Sequence, residues 1–179
     1  MLKTLLLVVF GLAVLAVATV LLLATRQPDT FRVQRTTLVA APAERIFPLI
    51  ADLKLMNSWN PFVTRDPQVK GSYSGPAAGT GASYVFEGKQ AGSGSLRITD
   101  TVVPTRVALK LDMTAPMEAH NDVLFTLDPE GGATRVTWTM QGPSPFLGKV
   151  MGVVFSMDKM VGGAFEEGLA NLKIRAEGA

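Results

Sequence analysis

Hydrophobic residues are distributed along this chain in three ways, and each predicts a different element. The first is a continuous block. Thr4 to Thr25 is 22 residues without a charge, mostly Leu, Val and Ala. As a helix it would be about 33 Å long, enough to cross a bilayer core. It has no polar face, which separates it from the amphipathic helix of a soluble core. A cleaved signal peptide has a shorter apolar stretch with a small-x-small site after it. Ala16-Val17-Ala18 has that form but lies inside the run, and Ala24-Thr25-Arg26 ends on a large cation. The expectation is a transmembrane helix over 4–25, a polar linker over 26–30 and one soluble domain over 31–177. Sidedness stays open. Arg26, Arg32 and Arg35 favour a cytoplasmic domain by the positive-inside rule, whereas an uncleaved N-terminal signal favours export.

The second pattern is alternation. Phe31 to Val39 reads as a strand. From Gln68 to Gln141, turn residues recur at Gly71, Gly75-Pro76, Gly79-Thr80-Gly81, Ala91-Gly92-Ser93-Gly94, Pro104, Pro116 and Gly131-Gly132. Five or six strand-like segments lie between them. Val107, Leu109, Leu111 and Met113 share one face of a strand, with Arg106, Lys110 and Asp112 on the other. Val123, Phe125 and Leu127 alternate with Asp122 and Thr126; Val136, Trp138 and Met140 alternate with Arg135, Thr137, Thr139 and Gln141. One wet and one dry face predicts antiparallel strands. Asp128-Pro129-Glu130-Gly131-Gly132 joins two of them as a hairpin.

The third pattern is helical. Ala41-Pro42-Ala43-Glu44 opens a helix carrying Ile46, Phe47, Leu49 and Ile50, which Pro48 must shorten, kink or split. Asp52 opens a second short helix through Leu53, Leu55 and Met56, ended by Asn60-Pro61. From Pro145 to Ala176, apolar residues at Leu147, Val150, Met151, Val154, Met157, Val161, Phe165, Leu169 and Leu172 keep a spacing of three or four. Gly148, Gly152, Gly162 and Gly163 predict a break or bend in its first half. The order is strand, short helices, antiparallel strands, long helix. That predicts an α+β domain whose curved sheet covers its dry face with the last helix.

Charge and composition narrow the function. From Gln27 onward the chain has 15 basic and 15 acidic residues, so the net +2 comes from Lys3 and Arg26. A neutral domain without a basic stripe gives no case for nucleic acid. There is no cysteine and one histidine, which leaves little for metal or thiol chemistry, and no cofactor motif is present. His120 is in phase with Glu118 and Asp122 and should face solvent. Asn121 is in phase with Val123 and Phe125 and should point inward, as a core amide bonded to backbone or as a contact for a ligand head group. Asp66, Glu87, Asp100 and Asp112 form no pair with a spacing that marks acid–base work, and Glu87 reads as a rim or surface carboxylate. Gly92-x-Gly94 lacks the helix a phosphate loop needs, and no nucleophile elbow appears.

The chain resembles the START-like, helix-grip superfamily (SRPBCC), in the group of polyketide cyclase/dehydrase and lipid transport proteins. The resemblance covers Phe31 to Glu177. It rests on the opening AAPAERIFPLIADLKLMNSWNPF, the strand-turn-strand FEGKQAGSGSLRIT, then VVPTRVALKLDM, PMEAHNDVLFTL, GATRVTWTMQG and the terminal MDKMVGGAFEEGLANLK. It implies a curved antiparallel sheet wrapped around the long C-terminal helix, enclosing an apolar cavity. The lining expected from the dry faces is Tyr84, Phe86, Leu109, Leu111, Met113, Asn121, Phe125, Trp138 and Met140, with Met157 and Phe165 from the helix. Trp59 is a further aromatic candidate, and methionines at 113, 117, 140, 151, 157 and 160 suit adaptable apolar sites. The superfamily holds lipid carriers, hormone receptors, cyclases and chaperone activators, so fold does not choose among them. The expected function is a membrane-anchored, non-catalytic binding domain for a hydrophobic or lipid-like molecule. A cyclase/dehydratase-type enzyme using Asn121, Glu87 and Tyr84, and a protein-interaction module, are the rivals.

Overall fold

In a computed structural model of the chain the described residues are 2–154 and 157–178, without the side chains at 154, 157 and 160. The expected stripe positions Val154 and Met157, and the methionines at 157 and 160, have side chains outside the described residues. Helix α1 (Leu2–Thr25) carries no charge after Lys3, and only Ala24 on it is buried. Strand β1 (Thr30–Val39) follows, then α2 (Ala43–Ala51), α3 (Leu53–Asn57) and α4 (Pro61–Thr64). Pro48 sits inside the nine-residue α2, which ends where the Asp52 N–H donates to the Pro48 carbonyl. Asp52 then caps α3, its carboxylate accepting from the N–H groups of Lys54 and Leu55. Helix α4 is a turn that hydrophobic periodicity does not reveal. Asn60 caps it through the Phe62 N–H, and Pro61 takes the first helical position.

Six more strands complete the sheet: β2 (Lys70–Ser74), β3 (Ser83–Gly88), β4 (Gly92–Val102), β5 (Arg106–Ala115), β6 (Ala119–Glu130) and β7 (Ala133–Pro143). The seven strands pair antiparallel in the order β1-β7-β6-β5-β4-β3-β2. Alternation along β5, β6 and β7 has the predicted phase. Val107, Leu109, Val123, Phe125, Leu127, Val136, Trp138 and Met140 are buried on the inner face. The C-terminal helical region consists of α5 (Phe146–Val154) and α6 (Met157–Glu177).

The two helices have different neighbours. Helix α6 crosses β1 and touches α2, α4 and β7, and its Phe165, Leu169 and Leu172 are buried. Helix α5 runs beside α1 instead. Leu147 and Met151, expected on the core stripe, are exposed there, as is Phe146. The core stripe therefore begins only in α6. Lys149 of α5 reaches Asp29 at 2.6 Å, just after α1, and holds its carboxyl below the usual carboxylate range.

Where α2 meets β5 and β6 the core is closed to solvent. Ile46, Ile50, Leu53, Leu109, Phe125 and Leu127 are all but fully buried. Trp59 stands edge-on to Phe125 and to Trp138, with centroids 6.2 and 5.9 Å apart. Its indole N–H donates to the Leu49 carbonyl at 2.8 Å, so this tryptophan is fully satisfied within the core.

Candidate functional site

Register places the inner-face side chains in rows across the sheet. Tyr84 lies opposite Leu96, Leu96 opposite Leu111, and Leu111 opposite Asn121. The next row runs Ile98, Leu109, Val123, Met140. The one after runs Val107, Phe125, Trp138. Beneath the first row, and reaching Val123, Met140 and Trp138, the interior is hollow. The cavity has a volume of about 310 Å³, within the range of small-molecule sites.

Three sets of side chains face each other across this space. The sheet supplies Tyr84, Phe86, Leu96, Leu111, Met113 and Asn121 along its far half. Helices α3 and α4 and the residues between them supply Met56, Asn57, Asn60, Phe62 and Val63, and α6 supplies Val161 and Phe165. Phe165 stacks face to face on Trp138, centroids 4.0 Å apart and planes 8° from parallel. Phe62 stands edge-on to both rings. Tyr84 stacks between Tyr73 and Phe86, and the Tyr73 hydroxyl accepts from Asn57 Nδ2 at 2.9 Å. Burial pushes the Tyr84 phenol above its ordinary pKa, so it stays protonated at neutral pH.

The rim is held by Asp66, which is buried. Its carboxylate accepts from the N–H groups of Gln68, Gln90 and Ala91, at 3.3, 2.8 and 3.1 Å. These bonds hold its carboxyl below the usual range. They also fix the β3–β4 turn, whose Gln90 and Ala91 belong to the cavity wall. Gln90 itself is exposed. Hydrophobic patterning says nothing about Asp66; only the turn folding back onto it reveals the role.

Of the residues expected from the sequence to line a cavity, Tyr84, Phe86, Leu111, Met113, Asn121, Trp138, Met140 and Phe165 stand on this wall. Leu109 and Phe125 do not. They are 1% and 0% exposed in the closed part of the core, where α2 and Trp59 press against the same sheet face. Met157 has its side chain outside the described residues. Sequence reasoning missed Leu96 and the contribution of α3 and α4. Their apolar residues Met56, Phe62 and Val63 carried a signal, but not one that says which side of the helices they fill.

The cavity wall is poor in chemistry. Among the described residues that line it, Tyr84 is the only titratable one. His120 is on the outer face, its Nδ1 2.7 Å from Asp112 and its Nε2 3.4 Å from Glu118. These carboxylates hold its pKa above the usual histidine value. Glu87 is also exposed, beside a shallow groove on the outer face of β2 to β5 that Lys70, Ser72, Ser95 and Asp112 make polar. Among the described residues there is no cluster of three His, Cys, Asp or Glu that fits a metal.

A hollow between a curved antiparallel sheet and a C-terminal helix narrows the relationship, and a family model described as polyketide cyclase / dehydrase and lipid transport matches residues 30–177. The chain belongs to this family. Membership points to a domain that binds a hydrophobic ligand. A solved structure from Chromobacterium violaceum is similar at 16% identity and a TM-score of 0.58, covering 84% of this chain and 99% of that one. The Aha1 dimer from Colwellia psychrerythraea is similar at 16% identity and a TM-score of 0.57, covering 82% and 96%. A Rhizobium loti protein shares 23% identity at a TM-score of 0.54, covering 79% and 95%. At these identities the likeness is one of fold. No curated protein matches the sequence. Helix α1 is long and apolar enough to cross a membrane, a property that signal sequences share.

Proposed function

We propose that this protein is a membrane-tethered binding domain for a small hydrophobic or amphipathic molecule and that it does no chemistry on it. The cavity carries the reading. Its wall is almost wholly aromatic, aliphatic and thioether, with a few amides and one phenol. That is the make-up of a binding site. It supplies no pair of groups for proton transfer, since Tyr84 is a weaker acid than usual and the only titratable lining residue described. Helix α1 acts as the tether over residues 4–25, and the domain over 31–177 does the binding. The apolar side chains of Phe146, Leu147 and Met151, exposed on the helix beside α1, extend the surface offered to lipid. A tether keeps the cavity at high local concentration near molecules dissolved in the bilayer.

Two measurements test the two halves of this reading. The full-length protein should stay in the membrane fraction through carbonate washing; a soluble mature form beginning near Arg26 would end the tether. Native mass spectrometry of the full chain released from mild detergent should show a small apolar adduct. The adduct should be missing from Leu111→Trp. A domain that carries no adduct and takes up no apolar probe would end the binding role.

A further inference from the structure

Helix α1 is sheltered at one place only. Val20 is half-buried and Ala24 is buried, while every other described residue of α1 is exposed. These two lie four apart, on one side of the helix, and the element packed against α1 is α5. Helix α5 thus sits beside the last two turns of α1. Its start is fixed there, because the Ser144 N–H donates to the Asp29 carbonyl at 2.7 Å and Lys149 pairs with the Asp29 carboxylate. Gly148, Lys149, Val150 and Val153 are half-buried, whereas Phe146, Leu147 and Met151 are 54%, 60% and 39% exposed. Lys149 is the one charge on α5, and its side chain is folded onto Asp29 with 13% exposed. The outward face of α5 therefore holds no charged group.

The end of the domain nearest α1 is also the hollow one. Thr30, at the start of β1, pairs with Pro143 at the end of β7. On the same side of the sheet, Asp122 pairs with Gln141, Ala119 with Met113, and Gly94 with both Met113 and Phe86. The cavity residues Phe86, Met113, Asn121 and Met140 all lie toward this end. Leu127 and Val136 of the packed half lie toward the other. Helix α6 begins at Met157, soon after α5 ends, and about one turn later Val161 stands on the cavity wall.

We infer that α5 is a second membrane contact, lying in the interface of the leaflet beside the end of α1, and that the two helices hold the domain with its hollow end toward the bilayer. This deepens the tether proposed above and rests on it. The occupant of the α5 face is lipid, because that face continues the apolar surface of α1 at the level where α1 leaves the membrane. A short helix with an apolar outward face is stable there when it sinks that face to the boundary of headgroups and acyl chains. Pairing Lys149 with Asp29 spares the interface an uncompensated charge. One span alone leaves a domain free to swing on its linker; a second contact beside it sets which end of the domain meets the lipid.

The chain has no cysteine, so single substitutions can carry a nitroxide label on the full chain in phosphatidylcholine nanodiscs. Leu147→Cys and Met151→Cys report on α5. Met117→Cys, in the turn between β5 and β6, reports on the hollow end, and Val102→Cys, at the end of β4, reports on the opposite one. Leu15→Cys reports on the tether. All five positions are exposed, so the label displaces no packed side chain. Power-saturation spectra compare collisions with oxygen and with a water-soluble nickel chelate. The oxygen-to-chelate ratio at 147 and 151 should exceed that at 102 about tenfold, since hydrocarbon admits oxygen and excludes the polar chelate. A gadolinium-chelating lipid in the headgroup layer should relax the label at 117 several-fold faster than the label at 102. If 147 and 151 are as open to the chelate as 102 while 15 lies in lipid, the α5 contact is overturned and the tether stands. Equal relaxation at 117 and 102 overturns the orientation. Labels at 147 and 151 that are shielded from both collision partners and spin-coupled between copies would mean that a second chain covers α5, which also overturns it. If 15 meets the chelate as freely as 102, the tether itself fails.

Discussion

The two halves of the domain interior are built from the same sheet face with the same alternation, yet one is packed and the other hollow. At the packed half, Leu109, Phe125 and Leu127 meet Ile46, Ile50 and Trp59, and every one of these is at most 2% exposed. At the hollow half, Leu96, Leu111 and Asn121 look onto the cavity. What differs is the opposing layer. Helix α2 touches β5 and β6 directly and brings large side chains to them. Toward β3 and β4 the opposing wall is instead the short α3 and α4 with Val161 and Phe165 of α6. At the other edge of the sheet, Arg35 of β1 ties α6 down by pairing with Asp158 and Glu166 at 2.7 and 2.6 Å. A dry face is thus a requirement for being covered, not for being filled.

Substitutions should separate the halves, and the largest effect belongs to the packed one. Phe125→Ala should destabilise by about 3–5 kcal/mol, whereas Leu111→Ala should cost less than half as much, because the space beside it is already open. Denaturant unfolding of the full chain in micelles measures both; equal losses would mean the interior is uniformly packed. Gly168→Val tests the border. A Cβ there would lie 2.8 Å from Trp138 Cζ3 and 2.9 Å from Pro61 Cδ, so a loss of about 1–3 kcal/mol from overpacking is expected. A stability-neutral valine would show that α6 can slide off the aromatic cluster.

Smaller effects are expected at the rim and in the open space. Asp66 has a folded pKa below its unfolded value of about 3.9. Its contribution is therefore present above that value and lost as pH falls through the lower, folded one. Asp66→Asn should flatten the acid limb of the stability profile and loosen the β3–β4 turn, seen as faster amide exchange at Gln90 and Ala91. An unchanged acid limb would remove Asp66 from the rim's support. Leu111→Trp should change stability by under about 1 kcal/mol while reducing binding of a naphthol probe about tenfold, since open volume tolerates a larger side chain. Unfolding by this one change would argue against a hollow.

The smallest effect belongs to the outer face. His120→Ala should leave probe binding unchanged. Its folded pKa lies above the unfolded value of about 6.5, so the pairing with Asp112 and Glu118 adds stability below that value. That contribution disappears as pH rises through the folded pKa. The variant should lose only this shallow slope in thermal melts between mildly acidic and mildly alkaline pH.

Much of this was legible from local pattern. Alternation along β5, β6 and β7 identifies the buried face because side chains on a strand point to opposite sides by turns. The same rule puts Asn121 inside and His120 outside. The uncharged run of α1, the Asp52 cap and the buried Phe165-Leu169-Leu172 stripe also follow from spacing and residue type alone. Tertiary structure decided the rest. Leu147 and Met151 keep the same helical spacing as Phe165 and Leu169, but α5 lies along α1 while α6 lies on the sheet. Leu109 and Leu111 share one strand face, but only Leu111 meets the cavity. Periodicity records which side of an element avoids water. What stands opposite that side depends on contacts between residues far apart in the chain, and those are set only when the whole domain closes.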